Sequence, residues 1–255
     1  MTLDCYMFSN EGGKSKNEDC VSFDIKNDEG IFVLADGLGG HQLGEKASKC
    51  VCDSLIEAWS VRNESDDIGD SDDIEEWLKT QIAIANEKVI ELQNEEHTIM
   101  KSTVVSLIID SCKAIWANVG DSRLYYFHNG NIASYTEDHS VSYKKYKAGE
   151  ITRVQLATDE DQCCLLRALG NEERNQPDIN RTYENLSDGD GFLLCSDGFW
   201  EYVMEQEMVI DLHKAKIAEN WINSLLLRAI KRVGTDNDNL SVIAVLIKGD
   251  REAGV

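Results

Sequence analysis

One proline, Pro177, occurs in 255 residues, and there is no Gly/Ser-rich tract, internal repeat or low-complexity segment. With no linker signal, a single domain over residues 1–255 is the simpler expectation. No apolar run is long enough to span a bilayer, and the start, MTLDCYMFSN, lacks the basic flank and apolar core of a secretory signal. Both absences point to a cytoplasmic protein. Positive charge is scarce: 25 Lys and Arg stand against 47 Asp and Glu, a formal net charge of −22. Such a surface repels nucleic-acid backbones and anionic membranes, so neither is an expected partner. Among eight cysteines there is no CxxC pair, and several lie in apolar patterns, so reduced and mostly buried thiols are expected. A GxxxxGK[ST] loop and the HRD and DFG motifs are also missing, which argues against an NTPase or a kinase.

The hydrophobic content, 42%, is ample for a sizeable core. Its most informative stretch is IFVLADGLGGHQLG at 31–44, four apolar residues that read as a buried strand delivering Asp36. Gly37, Gly39 and Gly40 carry no Cβ, so the backbone there is expected to turn sharply and offer carbonyl oxygens to a small cation. The strand, Asp, Gly order recurs in NVGDSR at 118–123 and in LLCSDGFW at 193–200, and DNDNLSVIAVLI sets Asp238 just before a strand. Any one of these can be an Asp-Gly turn with nothing bound. Together, carboxylates at strand ends far apart in sequence suggest one convergent metal site. Upstream, GGKSKNED brings Lys14, Lys16, Glu18 and Asp19 close, a mixture that suits phosphate and metal-bound water or equally a solvated turn.

The remaining pattern predicts strands at 3–8, 21–25 and 31–34, then two amphipathic helices. Leu43, Ala47, Cys50, Val51, Leu55, Ala58 and Trp59 form the apolar face of the first helix. Ile74, Trp77, Leu78, Ile82, Ala85, Val89 and Leu92 form that of the second, with the acidic run at 63–76 as a solvated loop into its N-terminus. Strands at 103–109, 114–119, 124–127 and 132–135 read as an antiparallel meander. A polar, basic excursion follows from 138 to 161, then strands at 165–169 and 192–195 and helices at 201–212 and 217–233. The nearly all-apolar run at 240–247 reads as a central strand buried on both faces. Helices covering a pair of packed sheets fit this order.

In sequence order, NED at 17–19, ADGLGG, STVV, NVGDSR, DHS, RALG, CSDGFW and DNLSV resemble the motifs of the protein phosphatase 2C family of metal-dependent serine/threonine phosphatases. The resemblance runs from end to end and is to the compact bacterial form. It implies an α+β fold, a four-layer αββα sandwich with two mainly antiparallel sheets, and two Mn²⁺ or Mg²⁺ ions with a third weakly bound. Asp36 would bridge both ions, Asp197 and Asp238 would hold the first, and the Gly37 carbonyl the second. Glu18 and Asp19 would act through metal-bound waters, and Asp121 would hold the third ion with Asp197. Asp138 to Ser140 would introduce a flap at about 138–165. The implied reaction is in-line attack on phosphoserine or phosphothreonine by a hydroxide bridging two ions, with no phosphoenzyme. Phosphorylated proteins would be the partners of a monomer that opposes a protein kinase.

Some positions depart from the family pattern. Lys14 stands where many relatives have an arginine, supplying charge without the bidentate fork. Leu38 replaces the histidine of animal and plant members, Glu201 a usual aspartate, and Lys101 a usual glycine. The alternatives are a fold kept as a phosphoprotein-binding scaffold without turnover, and a small-molecule phosphomonoesterase. Retention of Asp36, Asp197 and Asp238 favours turnover. Cysteine-based phosphatase chemistry is disfavoured, because no arginine stands six residues after any cysteine.

Overall fold

The computed structural model describes residues 1–39, 43–62 and 71–249. In chain order it forms β1 (Thr2–Asn10), β2 (Asp19–Lys26), β3 (Glu29–Gly39), α1 (Gly44–Arg62), α2 (Ser71–Glu96) and β4 (Met100–Ser102). Then come β5 (Val104–Asp110), β6 (Lys113–Val119), β7 (Arg123–His128), β8 (Asn131–Tyr135), α3 (Val141–Lys147) and α4 (Arg153–Leu156). The chain continues through β9 (Asp178–Arg181), β10 (Gly191–Cys195), α5 (Asp197–Trp200), α6 (Glu205–Leu212), α7 (Ala218–Ala229) and β11 (Leu240–Lys248).

Two sheets result, one ordered β1-β11-β10-β7-β8 and the other β2-β3-β5-β6-β9, with β4 paired to β3. Every strand pairing among the described residues is antiparallel. Strand alternation sorts the apolar residues into three layers of core. Ile31, Val33 and Ala35 pack with Ala47, Val51, Leu55 and Ile82 of α1 and α2. Phe32 and Leu34 face Leu194, Ile243 and Val245 of the other sheet. Cys195, Val242, Ala244 and Leu246 pack with Trp221, Ile222 and Leu225 of α7. This is the expected αββα order, and β11 is indeed a central strand, buried at every residue but the last. No helix among the described residues is long and apolar enough to cross a membrane.

Several expectations need correction. β3 does not end at Leu34 but stays extended through Gly39, where Gly37 to Gly39 pair with β4 rather than turn; Gly40 lies outside the described residues. Glycine is required at 37 for space, since a Cβ would meet the Gly44 carbonyl oxygen at 2.1 Å. The four-strand meander is two hairpins in different sheets, β5-β6 and β7-β8, joined by a crossover at residues 120–122. Gly120 permits it with φ of +105°. Alternation fixes which face of a strand is buried but not which sheet takes it, so the crossover was hidden. The acidic residues 63–70 lie outside the described residues, and α2 begins at Ser71.

Residues 165–169 form no strand, only isolated bridges from Leu165 to Ser140 and from Leu169 to Ser102, while β4 and β9 were missed because each is too short to show a period. The expected helix at 201–212 starts only at Glu205, as α6, because residues 201–204 form a turn after the short α5. Asp138, His139 and Ser140, read as the start of a surface excursion, are buried. Asp138 is drawn in by Arg123, which binds it through two hydrogen bonds of 2.7 and 2.8 Å. All eight cysteines are free, but only Cys52 and Cys195 are buried and Cys163 and Cys164 are exposed, because these two sit in the polar segment rather than in an apolar pattern.

Candidate metal centre

The acids meet at one end of the sandwich, and parity explains how. Asp36 shares the face of Phe32 and Leu34, so its side chain enters the space between the sheets where the apolar core stops. Asp19, the first residue of β2, stands directly opposite Asp36 in the antiparallel ladder. Two carboxylates so placed repel unless protons or a cation compensate. Asp197 opens α5 just beyond β10, and its side chain is in hydrogen-bond contact with that of Asp36. Asp238 lies at the entry to β11 and Asp121 in the crossover between the sheets.

The electrostatics record this convergence. Burial, then the charges of Asp19, Asp197 and Asp121, push the Asp36 carboxyl well above the usual range. Burial and then Asp197 and Asp138 do the same to Asp121. Asp19 is pushed up to about 7, chiefly by burial, and Asp197 rises through burial and Asp238. Glu201 is pushed up to about 8 by burial and by Asp197 and Asp238. Such crowding disfavours the charged carboxylates, and protons or a bound cation would relieve it.

A divalent cation fits. Asp19 Oδ1 is buried with no hydrogen-bond partner, an acceptor that water alone does not reach cheaply. Among the described residues no three side chains of His, Cys, Asp or Glu converge tightly enough to hold an ion unaided. An ion here therefore needs backbone oxygen and water as well, which Mg²⁺ and Mn²⁺ accept. The all-oxygen donor set suits them better than Zn²⁺.

Glu18 braces both Gly37 and the start of α1. Its carbonyl accepts the Gly37 N–H at 3.0 Å, and its Oε1 accepts from the Gly44 N–H at 3.2 Å, capping α1. Burial raises its carboxyl. Lys14 reaches Asp238 Oδ2 at 3.2 Å, with both side chains about half exposed, 48% and 50%. Lys16 turns instead to Glu45, at 2.7 Å. Leu38 and Lys101 are cross-strand partners in the β3-β4 ladder.

Sequence reasoning missed the polar groups behind these acids. Asn239 accepts from the Glu18 N–H at 2.7 Å and donates to the Glu11 and Lys16 carbonyls, each at 2.9 Å, clamping the β1-β2 loop onto β11. Ser196 donates to Asp19 Oδ2 at 2.9 Å. Thr103 accepts from the Asp36 N–H at 2.9 Å and donates its own N–H to the Asp36 carbonyl at 2.8 Å. Gln162 donates to Asp197 Oδ2 at 3.3 Å. Ser and Thr at strand ends, and Asn and Gln in the loops beside them, give no sequence signal for such work.

Residues 9–226 match the protein phosphatase 2C family. This chain belongs to that family. Asp238 lies beyond the matched span. A serine/threonine phosphatase of Listeria welshimeri, Stp, is 31% identical over 88% of this chain and 86% of its own length. The solved Streptococcus agalactiae serine/threonine phosphatase superposes with a TM-score of 0.83 at 26% identity, over 96% of this chain and 100% of its own. The catalytic domain of the phosphatase PstP in complex with two manganese ions superposes with a TM-score of 0.79 at 25% identity, over 97% of this chain and 99% of its own. The two packed sheets and flanking helices are those of this phosphatase family, in its compact bacterial form.

Proposed function

We propose that this protein phosphatase removes phosphate from phosphoserine and phosphothreonine in proteins, using two Mn²⁺ or Mg²⁺ ions gathered by Asp36. The observation that carries the reading is the cluster itself: Asp19, Asp36, Asp121, Asp197 and Asp238, from five separate segments, meet at one end of the sandwich with an unpartnered buried oxygen among them. The manganese-bound PstP relative supports the choice of metal. When bound, such ions would lower the pKa of water and neutralise the phosphoryl oxygens.

Each residue has a separate task. Asp36 would bridge the two ions, Asp197 and Asp238 would complete the first, and the Gly37 carbonyl, fixed by Glu18, would serve the second. Glu18 and Asp19 would orient water around them, Ser196 holding Asp19 in place. Asp121 would share a third, weaker ion with Asp197, and Glu201 would stand beside it. Lys14, at the rim beside Asp238, would receive the substrate phosphate, and residues 138–165 would form the flap over the site. On this reading the chain works as a single domain and a monomer in the cytoplasm, opposing a protein kinase.

The test is hydrolysis of an aryl phosphate and of phosphothreonine peptides, which EDTA abolishes and Mn²⁺ restores. A preference for small esters with no activity on phosphoproteins would favour the small-molecule alternative. Replacement of Lys14 by Ala is expected to raise KM for phosphopeptides several-fold with little change in kcat, because a cation at the rim binds ground and transition states alike. Lys14→Arg should leave activity similar or better. An unchanged KM in Lys14→Ala would reduce the lysine to a partner of Asp238.

Thiol chemistry gives a second check. Cys195 is buried among the α7 contacts and burial raises its thiol far above the ordinary value. Cys163 is exposed, and after partial burial the charge of Asp197 is what raises it most. Mild alkylation should therefore spare most activity, and any partial loss should vanish in Cys163→Ser. Rapid inactivation that persists in that variant and ignores EDTA would sink the metal-based reading.

A further inference from the structure

Trp200 makes contacts that no part of the reaction scheme has used. It is 1% exposed and ends α5, the single turn that Asp197 begins. Its indole N–H donates to the Asp121 carbonyl at 2.9 Å. The Arg123 guanidinium carbon lies 3.5 Å from its ring centroid, and its own carbonyl accepts from Arg153 Nη2 at 2.8 Å. Arg123 is bound in turn to Asp138 and donates to the Tyr125 hydroxyl at 3.0 Å. One residue thus joins the crossover that carries Asp121, the turn that carries Asp197, and the segment from Asp138 to Arg153.

A buried indole must find an acceptor for its N–H. Here the acceptor is the main chain of a residue whose side chain is crowded against other acids. Asp121 and Asp197 repel one another, and burial offers no solvent to relieve them. Left to itself, the crossover would relax by moving Asp121 away. The flat ring, fixed on one face by Arg123, is too rigid to follow such a movement.

We propose that Trp200 is a positioning residue, whose indole N–H fixes Asp121 at a set separation from Asp197 so that the two present oxygens to one divalent cation. The inference rests on the reading that these two aspartates share the weakest-binding ion. It assigns to the tryptophan an effect on cation affinity, beyond its place in the core.

The deciding variant is Trp200→Phe, which keeps a ring beneath Arg123 and removes the N–H. Binding of Mn²⁺ is followed by the electron paramagnetic resonance of the free ion, with Asp121→Asn alongside and thermal unfolding as a folding check. The weakest binding step should loosen about tenfold in Trp200→Phe, the effect of one buried hydrogen bond. The tighter steps should be unchanged. If Asp121→Asn loosens that step and Trp200→Phe does not, the tryptophan is only core packing and the inference falls alone. If neither variant changes any step, the assignment of Asp121 falls as well. Should Trp200→Phe not fold, the wild-type protein decides. Its Trp200 indole resonance, assigned through nuclear Overhauser contacts in ¹⁵N-Trp-labelled protein, should shift on Mg²⁺ addition with the half-saturation of the weakest step. An unmoved resonance across that range overturns the proposal.

Discussion

Replacement of Asp36 by Asn is expected to lower kcat by about a thousandfold while making the metal-free protein more stable. The loss follows from position: Asp36 faces Asp19 across the ladder and touches Asp197, so its charge is the one that any pair of ions at this end of the sandwich must share. Removing a group that acts on developing charge costs up to roughly 4 kcal/mol, which at about 1.4 kcal/mol per factor of ten is the thousandfold. The gain in stability has the same origin. Burial and four neighbouring aspartates disfavour the Asp36 charge in the absence of metal, and an amide removes that repulsion at nearly the same volume. Asp238→Asn should lose comparable activity with little change in stability, because Asp238 is half exposed. Steady-state kinetics in excess Mn²⁺ and thermal unfolding in EDTA measure the two effects. Unchanged turnover in both variants would refute the assignment.

The second large effect is on pH and metal together. In EDTA the protein should unfold at a temperature about 5–10 °C higher at pH 6 than at pH 8, estimated from roughly 1.4 kcal/mol per pKa unit and 2–4 °C per kcal/mol for a chain of this size. Asp19 and Glu201 rise to about 7 and about 8, and Asp36, Asp121 and Asp197 rise as well. A carboxyl raised on folding gives stability that is complete below its unfolded value, near 4, and is lost as pH climbs through the folded one. The window of loss is thus pH 4 to 8. Acids lowered on folding act oppositely: Glu207, at about 2 through its hydrogen bonds to Arg232, gives stability that fades only as pH falls below about 4. Between pH 6 and 8 the imidazole of His139, which burial holds below its ordinary value, opposes this trend, but the several raised acids outweigh one histidine and set the slope. Saturating Mn²⁺ should stabilise more at pH 8 than at pH 6, since protons compete for the same oxygens. A metal-free midpoint that stays flat or rises from pH 6 to 8 would show that these acids do not share one buried cluster.

Much of the architecture could be read from the sequence. The apolar faces of α1 and α2 emerged from 3.6-residue spacing, and Ile74, Leu78, Ile82, Ala85 and Val89 are all buried as that spacing requires. The run at 240–247 announced a central strand because only burial on both faces tolerates such a composition. The turn at Asn129 and Gly130, with φ of 50° and 72°, closes the hairpin its dipeptide promised. These are local signals, set by the period of one element or the dihedral needs of two residues.

What the sequence alone determined is therefore most of the element types and the antiparallel pairing within hairpins, and it marked candidate acids by their place at strand ends, Asp36, Asp121 and Asp197 at or after the end of a strand and Asp238 before one. Which sheet each hairpin joins was decided only in three dimensions. So were the pairing of Asp19 with Asp36, the clamp by Asn239 and the buried Arg123–Asp138–Trp200 stack. They join residues from 15 to 228 positions apart, and their contacts depend on where whole layers settle. A polar side chain looks alike in sequence whether it faces water or a buried carboxylate; only the packing of the second sheet over the first takes the water away.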